Sequence, residues 1–135
     1  MSNRPKPRAA VCWSADAFRA GDASEEPLDN PVDITGRMRA LVVGPMAPLG
    51  GGRWRLTVRF SLDEDAAGHP YILQFIHGDS LVEQHFQPAG AGEYAISLDN
   101  SYPHPGLIAL RLWVAEPAFD GKLFFQGAEA QPLDD

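Results

Sequence analysis

Apolar and polar residues alternate without a break from Arg53 to Leu62. Trp54, Leu56, Val58, Phe60 and Leu62 fall on one side of this stretch, with Arg53, Arg55, Thr57, Arg59 and Ser61 on the other. Successive side chains of a strand point to opposite faces, whereas a helix would scatter these apolar groups around its axis; the pattern predicts a half-buried strand. A one-residue slip would expose the whole apolar set, so the register is pinned. Shorter runs predict further strands over 38–43, 70–77, 80–87, 93–98, 107–114 and 122–126. Turn signals separate them: Gly44-Pro45, Gly78-Asp79, the run from Pro88 to Gly92, and the run from Glu116 to Gly121. Gly78-Asp79 has the length and chemistry of a two-residue hairpin turn. Short strands with regular turns predict an all-β protein, an antiparallel sandwich or barrel.

Ahead of Arg37 the period is lost. Residues 1–8 read as a solvated tail, and Asp16 to Ala20 as a single helical turn closed by Gly21. Residues 1–35 are therefore expected to pack as a long irregular segment on a sandwich domain of residues 36–130. A chain of 135 residues without internal repeats leaves no room for a second domain.

Composition sharpens this picture. The 13 glycines and 12 prolines sit largely between the predicted strands, so their excess is turn chemistry. With 44% apolar residues the chain has material for a core. A net charge of −7 removes the electrostatic footprint of a general nucleic-acid binder. No apolar run approaches the length of a membrane span, and the basic start is followed by too short an apolar stretch for an export signal, so a cytoplasmic location is expected. The lone Cys12 between Val11 and Trp13 reads as a buried small hydrophobe.

Gly44, Pro45, Leu49, Gly52, Trp54, Leu56 and Val58 have the spacing of a turn and long central strand, and this stretch resembles jelly-roll carbohydrate-binding modules. Leu110 to Val114, followed by Phe119, Gly121, Leu123, Phe125 and Gly127, resembles their last two strands. Similar stretches occur in β-sandwich segments beside bacterial glycosyltransferases. The resemblance covers residues 36–128 and implies an antiparallel β-sandwich of jelly-roll type, with a glycan as the implied partner. Many such modules carry a structural calcium ion. Here Asp63-Glu64-Asp65 and Asp134-Asp135 are the acidic clusters near suitable positions, and their plain reading is solvated turn and tail charge.

If Ile108, Leu110, Leu112 and Val114 face the core, Arg111 and Trp113 face outward. The same parity turns Leu123 and Phe125 inward and Lys122, Phe124 and Gln126 outward. An outward Trp and Phe need an explanation. Coverage by residues 1–35 or by another subunit is one. The other is a sugar platform in which Trp113 and Phe124 stack on a pyranose while Arg111, Lys122, Gln126, Arg55 and Arg59 bond its hydroxyls or a carboxylate. Arg55 and Arg59 also fit a plain salt-bridged strand face. His69, His77, His85 and His104 raise a cupin-like metalloenzyme, but no two of them are separated by one residue as that site requires. Gly50 to Gly52 lacks the following Lys-Ser/Thr of a phosphate loop, and no Gly-x-Ser-x-Gly elbow occurs. The sequence thus points first to a non-catalytic glycan-binding module, accessory to polysaccharide or envelope biosynthesis, without a cofactor. A structural module that assembles homo-oligomers through its aromatic face is the second reading.

Overall fold

The computed structural model describes residues 9–21 and 27–133. Among these are nine strands: β1 (Val11–Ser14), β2 (Val32–Asp33), β3 (Arg39–Leu49), β4 (Gly52–Leu62), β5 (Tyr71–His77), β6 (Ser80–Phe86), β7 (Gly92–Tyr102), β8 (Gly106–Val114) and β9 (Lys122–Pro132). They form two antiparallel sheets. One has the order β1-β9-β4-β7 with β2 also beside β9, and the other the order β3-β8-β5-β6. Among the described residues no helix is long and apolar enough to cross a membrane.

The period-two stretch becomes the central strand β4, and its apolar set Trp54, Leu56, Val58, Phe60 and Leu62 is buried. From the second sheet Leu73, Phe75, Ile108, Leu110, Leu112 and Val114 meet it in one core. In β5, where both alternations are mostly apolar, Tyr71, Leu73 and Phe75 point inward, and Ile72 and Ile76 are half-buried on the outside. The two-residue turn at Gly78-Asp79 joins β5 to β6, with His77 opposite Ser80.

Three expectations are corrected. The strand predicted to stop at Gly44-Pro45 runs on to Leu49, with register shifts at Ala40/Val42 and Pro45/Ala47. Strand β3 is an edge strand, where a proline without an N–H is tolerated and irregularities absorb the bend. The strands predicted over 93–98 and 122–126 likewise extend to Tyr102 and Pro132. Cys12 is exposed rather than buried. In β1 it lies opposite Glu129 on the outer side, while its neighbours Val11 and Trp13 pack against the core.

The N-terminal segment is built into the sandwich. Phe18 and Ile34 are core residues, β1 and β2 extend the β9 edge, and Arg19 exchanges backbone hydrogen bonds with Val43 in β3. The predicted helical turn is a short 3-10 turn over Ala15–Ala17. The tail 1–8 lies outside the described residues.

Among the described residues the β9 backbone has no strand partner on that edge between β1 and β2, and a side chain supplies one. Asn30 Nδ2 donates to Phe125 O at 2.8 Å, and Phe125 N donates to Asn30 Oδ1 at 2.9 Å. One amide side chain thus replaces a backbone pair. Asn30→Ala leaves both groups of Phe125 unbonded and is expected to cost about 2 kcal/mol of stability. Urea unfolding reads the loss, and hydrogen exchange at the Phe125 amide should accelerate. Unchanged protection there would disprove this role for Asn30.

Candidate ligand-binding surfaces

The outer face of the five-stranded sheet carries Arg55, Arg59, Lys122, Phe124 and Gln126. Its cations are paired. Arg55 makes a two-point contact with Asp99 across β4 and β7 at 2.8 and 3.1 Å, and Arg59 reaches Glu129 in β9 at 2.8 Å. Lys122 meets Asp33 at 3.1 Å, and Thr57 shares a 2.8 Å hydroxyl bond with Ser97. Hydrogen bonding to Arg55 holds the Asp99 carboxyl below its ordinary value, while Asp99 raises Arg55. Asp33 is held well below the usual carboxylate range, chiefly by the Thr35 side chain and backbone and then by Lys122. These pairs are exposed and each contributes little to stability, yet they commit the charges of this face to one another. Phe124 is 47% exposed opposite Ser61. A bulge sets Gln126 out of register between Phe125 and Gly127, beside a shallow cleft of about 260 Å³ that Cys12, Trp13 and Arg59 also line.

The outer face of the four-stranded sheet is organised differently. In β8, Trp113 lies beside Ile72 and Arg111 beside Gln74. Beyond them β6 places His85 next to Ile72, Glu83 next to Gln74 and Leu81 next to Ile76. Trp113 Nε1 donates to Gln74 Oε1 at 2.9 Å, and Gln74 Nε2 donates to Glu83 Oε2 at 3.1 Å. His85 Nε2 stands 3.5 Å from Glu83 Oε1. The Glu83 carboxyl is held below its ordinary value by Gln74 first and His85 second. The relay fixes the orientation of the Gln74 amide and, through it, of the half-buried indole. Arg111 is exposed and makes no ion pair among the described residues.

The residues expected to form one platform are therefore split. Trp113 and Arg111 stand on one outer face, and Phe124, Lys122, Gln126, Arg55 and Arg59 on the other. Two packed sheets lie about 10 Å apart and their outer side chains point in opposite directions, so no small glycan touches both sets.

At the end of the four-stranded sheet nearest Trp113 the loops are bonded to one another. Gly36 and Ala118 exchange backbone hydrogen bonds, Gly68 N donates to Pro88 O, and Ala115 N donates to Pro70 O. Asp63 Oδ1 accepts from Ala66 N at 2.8 Å and Oδ2 from Lys122 N at 3.1 Å. His69 Nδ1 lies 2.8 Å from Glu116 Oε1. This frame carries Phe119, which is 98% exposed. In the sequence Phe119 figured in a turn and in the family resemblance but not among the candidate ligand residues; its signal was an aromatic inside a Pro-Gly loop with no apolar partner in the period. Asp63, considered above for calcium, spends its oxygens on loop amides, and Asp134 and Asp135 lie outside the described residues. Among the described residues no three His, Cys, Asp or Glu side chains gather as metal ligands.

No protein-family model and no curated protein sequence matches the chain. Its fold does match solved structures. A family 36 carbohydrate-binding domain of a multidomain xylanase from the hindgut metagenome of Trinervitermes trinervoides aligns over 94% of this chain and 100% of its own, with a TM-score of 0.54 at 13% identity. A family 61 module in complex with β-1,4-galactotriose aligns over 92% of this chain and 88% of its own, with a TM-score of 0.56 at 11% identity. A family 36 module in complex with calcium and xylotriose aligns over 92% and 100%, with a TM-score of 0.52 at 11% identity. The protein has the jelly-roll β-sandwich fold of carbohydrate-binding modules.

Proposed function

We propose that the protein is a non-catalytic glycan-binding module, accessory to a polysaccharide or envelope system, and that it holds its ligand on the outer face of the four-stranded sheet. The observation that carries this reading is Trp113, whose indole is oriented by Gln74 on the face that also carries the exposed Arg111. A ring held in this way offers its face to the C–H side of a pyranose at little entropic cost, while Arg111 and Glu83 bond hydroxyls. The solved structures that share this fold include modules with xylotriose and galactotriose bound, which supports the ligand class.

Titration calorimetry with xylotriose, β-1,4-galactotriose and acidic oligosaccharides tests the proposal. Trp113→Ala is expected to weaken the affinity at least about tenfold, equivalent to about 1.4 kcal/mol, while circular dichroism remains that of the intact sandwich. A ligand bound equally well by the variant would remove Trp113 from the site, and no binding by the parent protein would sink the reading.

A second reading is favoured by the apolar company of Trp113. Ile72, Ile76 and Leu81, the last 59% exposed, share its face, as in a subunit interface. Light scattering separates the two, because an interface requires a dimer that Trp113→Ala dissociates.

A further inference from the structure

We propose that the glycan held on the four-stranded sheet is an acidic one, and that Arg19 and Arg111 together take the carboxylate of a uronic acid residue. The assignment rests on the sheet-face reading above and names the ligand class of that site. Arg19 belongs to the N-terminal segment, yet it is built into the sheet. Its N–H donates to Val43 O at 2.8 Å, and its carbonyl accepts from Val43 N at 3.1 Å. Val43 in turn lies opposite Arg111 in β8.

Residues directly opposite one another in antiparallel strands carry their side chains on one face. Arg19, Val43, Arg111, Gln74 and Glu83 therefore form one row across the outer side of the sheet. Burial agrees with this, since the flanking residues Phe18, Val42, Leu110 and Leu112 turn into the core. Arg19 and Arg111 are exposed, and Val43 between them is half-buried. With neighbouring strands about 4.8 Å apart, the two arginine Cα atoms stand about 10 Å from each other. Two arginine side chains can close that distance over Val43 from either side.

Neither arginine makes an ion pair among the described residues. On the other outer face Arg55, Arg59 and Lys122 are each held by a carboxylate of this chain. In a protein of net charge −7, two such guanidinium groups in one row leave a place for a carboxylate from outside. Of the acceptors a glycan offers, a carboxylate makes the strongest contact with a guanidinium, because the two are of opposite charge and meet at two points.

The row also has a direction. Glu83 stands at its β6 end, two strands beyond Arg111 and about 10 Å from it. It repels a carboxylate and accepts from hydroxyls, so the acid group lies toward Arg19 and the hydroxyls toward β6. Trp113 is two residues from Arg111 in β8, about 7 Å along the strand. A pyranose stacked on the indole therefore brings its C5 carboxyl group to the arginine pair.

Titration calorimetry of the full chain with trimers of galacturonate, glucuronate and mannuronate, each beside its methyl ester, tests the assignment; xylotriose and β-1,4-galactotriose are the neutral references. The ester keeps the shape of the sugar and removes its charge. At least one acidic trimer is expected to bind about tenfold more tightly than its ester at low salt, with the margin narrowing as salt is added. Arg19→Gln and Arg111→Gln should each cut that margin at least about threefold. Arg59→Gln removes the same charge from the opposite sheet and should keep it within about twofold. The assignment is overturned if every acidic trimer binds no more tightly than its ester, or if the three variants shift the margin equally. An acid preference that Trp113→Ala leaves at full affinity lies elsewhere on the molecule and overturns it as well. Esters or neutral trimers bound through Trp113 without such a preference would leave the glycan reading standing alone. No binding by any acid, ester or neutral trimer would remove both.

Discussion

Phe125→Ala is expected to lower the unfolding free energy by about 4 kcal/mol, a large share of the 5–15 kcal/mol typical of a domain. Phe125 is fully buried and receives the Phe18 ring edge-on, with centroids 4.6 Å apart and planes 69° inclined. Deleting it removes that aromatic contact along with the buried ring. The cost falls toward the upper part of the range for such truncations because the backbone cannot sink into the cavity. Phe125 is held on one side by the Asn30 amide and on the other by its pairing with Phe60 in β4. Urea denaturation followed by Trp fluorescence measures the loss. A decrease below about 1 kcal/mol would mean that the segment around Phe18 can refill the space, and that its docking is looser than the contacts indicate. Phe18→Leu should show part of the same loss, and the double variant should be less than additive, since the two rings share one contact.

Gly127→Val is expected to detach β1 and to cost about 3 kcal/mol. Gly127 has φ of +140°, and a Cβ there would lie 2.4 Å from Trp13 O, a backbone atom that can move only if β1 moves. A β-branched residue is a strong outlier at such a φ. The position follows the β9 bulge, where Gln126 is the extra residue between the pairs Phe60–Phe125 and Arg59–Gly127. Gly127 also faces Ser14 in β1. Hydrogen exchange should show protection lost over 11–14 while β4 and β7 stay protected. Gly90→Val is the control: a Cβ there meets nothing within 4 Å, and the change should stay within about 0.5 kcal/mol. Equal effects at the two positions would refute the steric account.

Both results bear on the part of the molecule the sequence described least well. A segment read as an irregular wrapping supplies two strands, a core phenylalanine and the Asn30 amide. Val32 and Asp33 pair as a strand of only two residues, and β1 of four, too short for any period to stand out. Their conformation follows from the β9 edge they meet, which lies far along the chain, with Val32 opposite Leu123 and Val11 opposite Ala130. The Gly44-Pro45 pair misled for a related reason. Its local chemistry is that of a turn, but on an edge strand the missing N–H of Pro45 costs no ladder bond on the solvent side. Phe119 enters the sequence reading only as part of a family resemblance, because a turn residue carries no period against which its exposure could be judged.

Alternation along the chain was enough to establish the fold class, the central strand with its register, and the inward sets of β4, β8 and β9 as far as Phe125. Those properties are local, since alternation along one strand decides which side chains are buried. It also determined that Trp113, Arg111, Phe124 and Lys122 point away from the core. It could not determine that they point away from each other. A sandwich has two outer faces with identical parity, and only strand pairing assigns a residue to one or the other. Strand β8 sits between β3 and β5, and β9 lies beside β4 and β1. These pairings are long-range contacts, carried by the way the two apolar faces close on a single core. The tertiary structure alone therefore set Trp113 beside Gln74 and Arg111, and paired Arg55 and Arg59 with carboxylates on the far side.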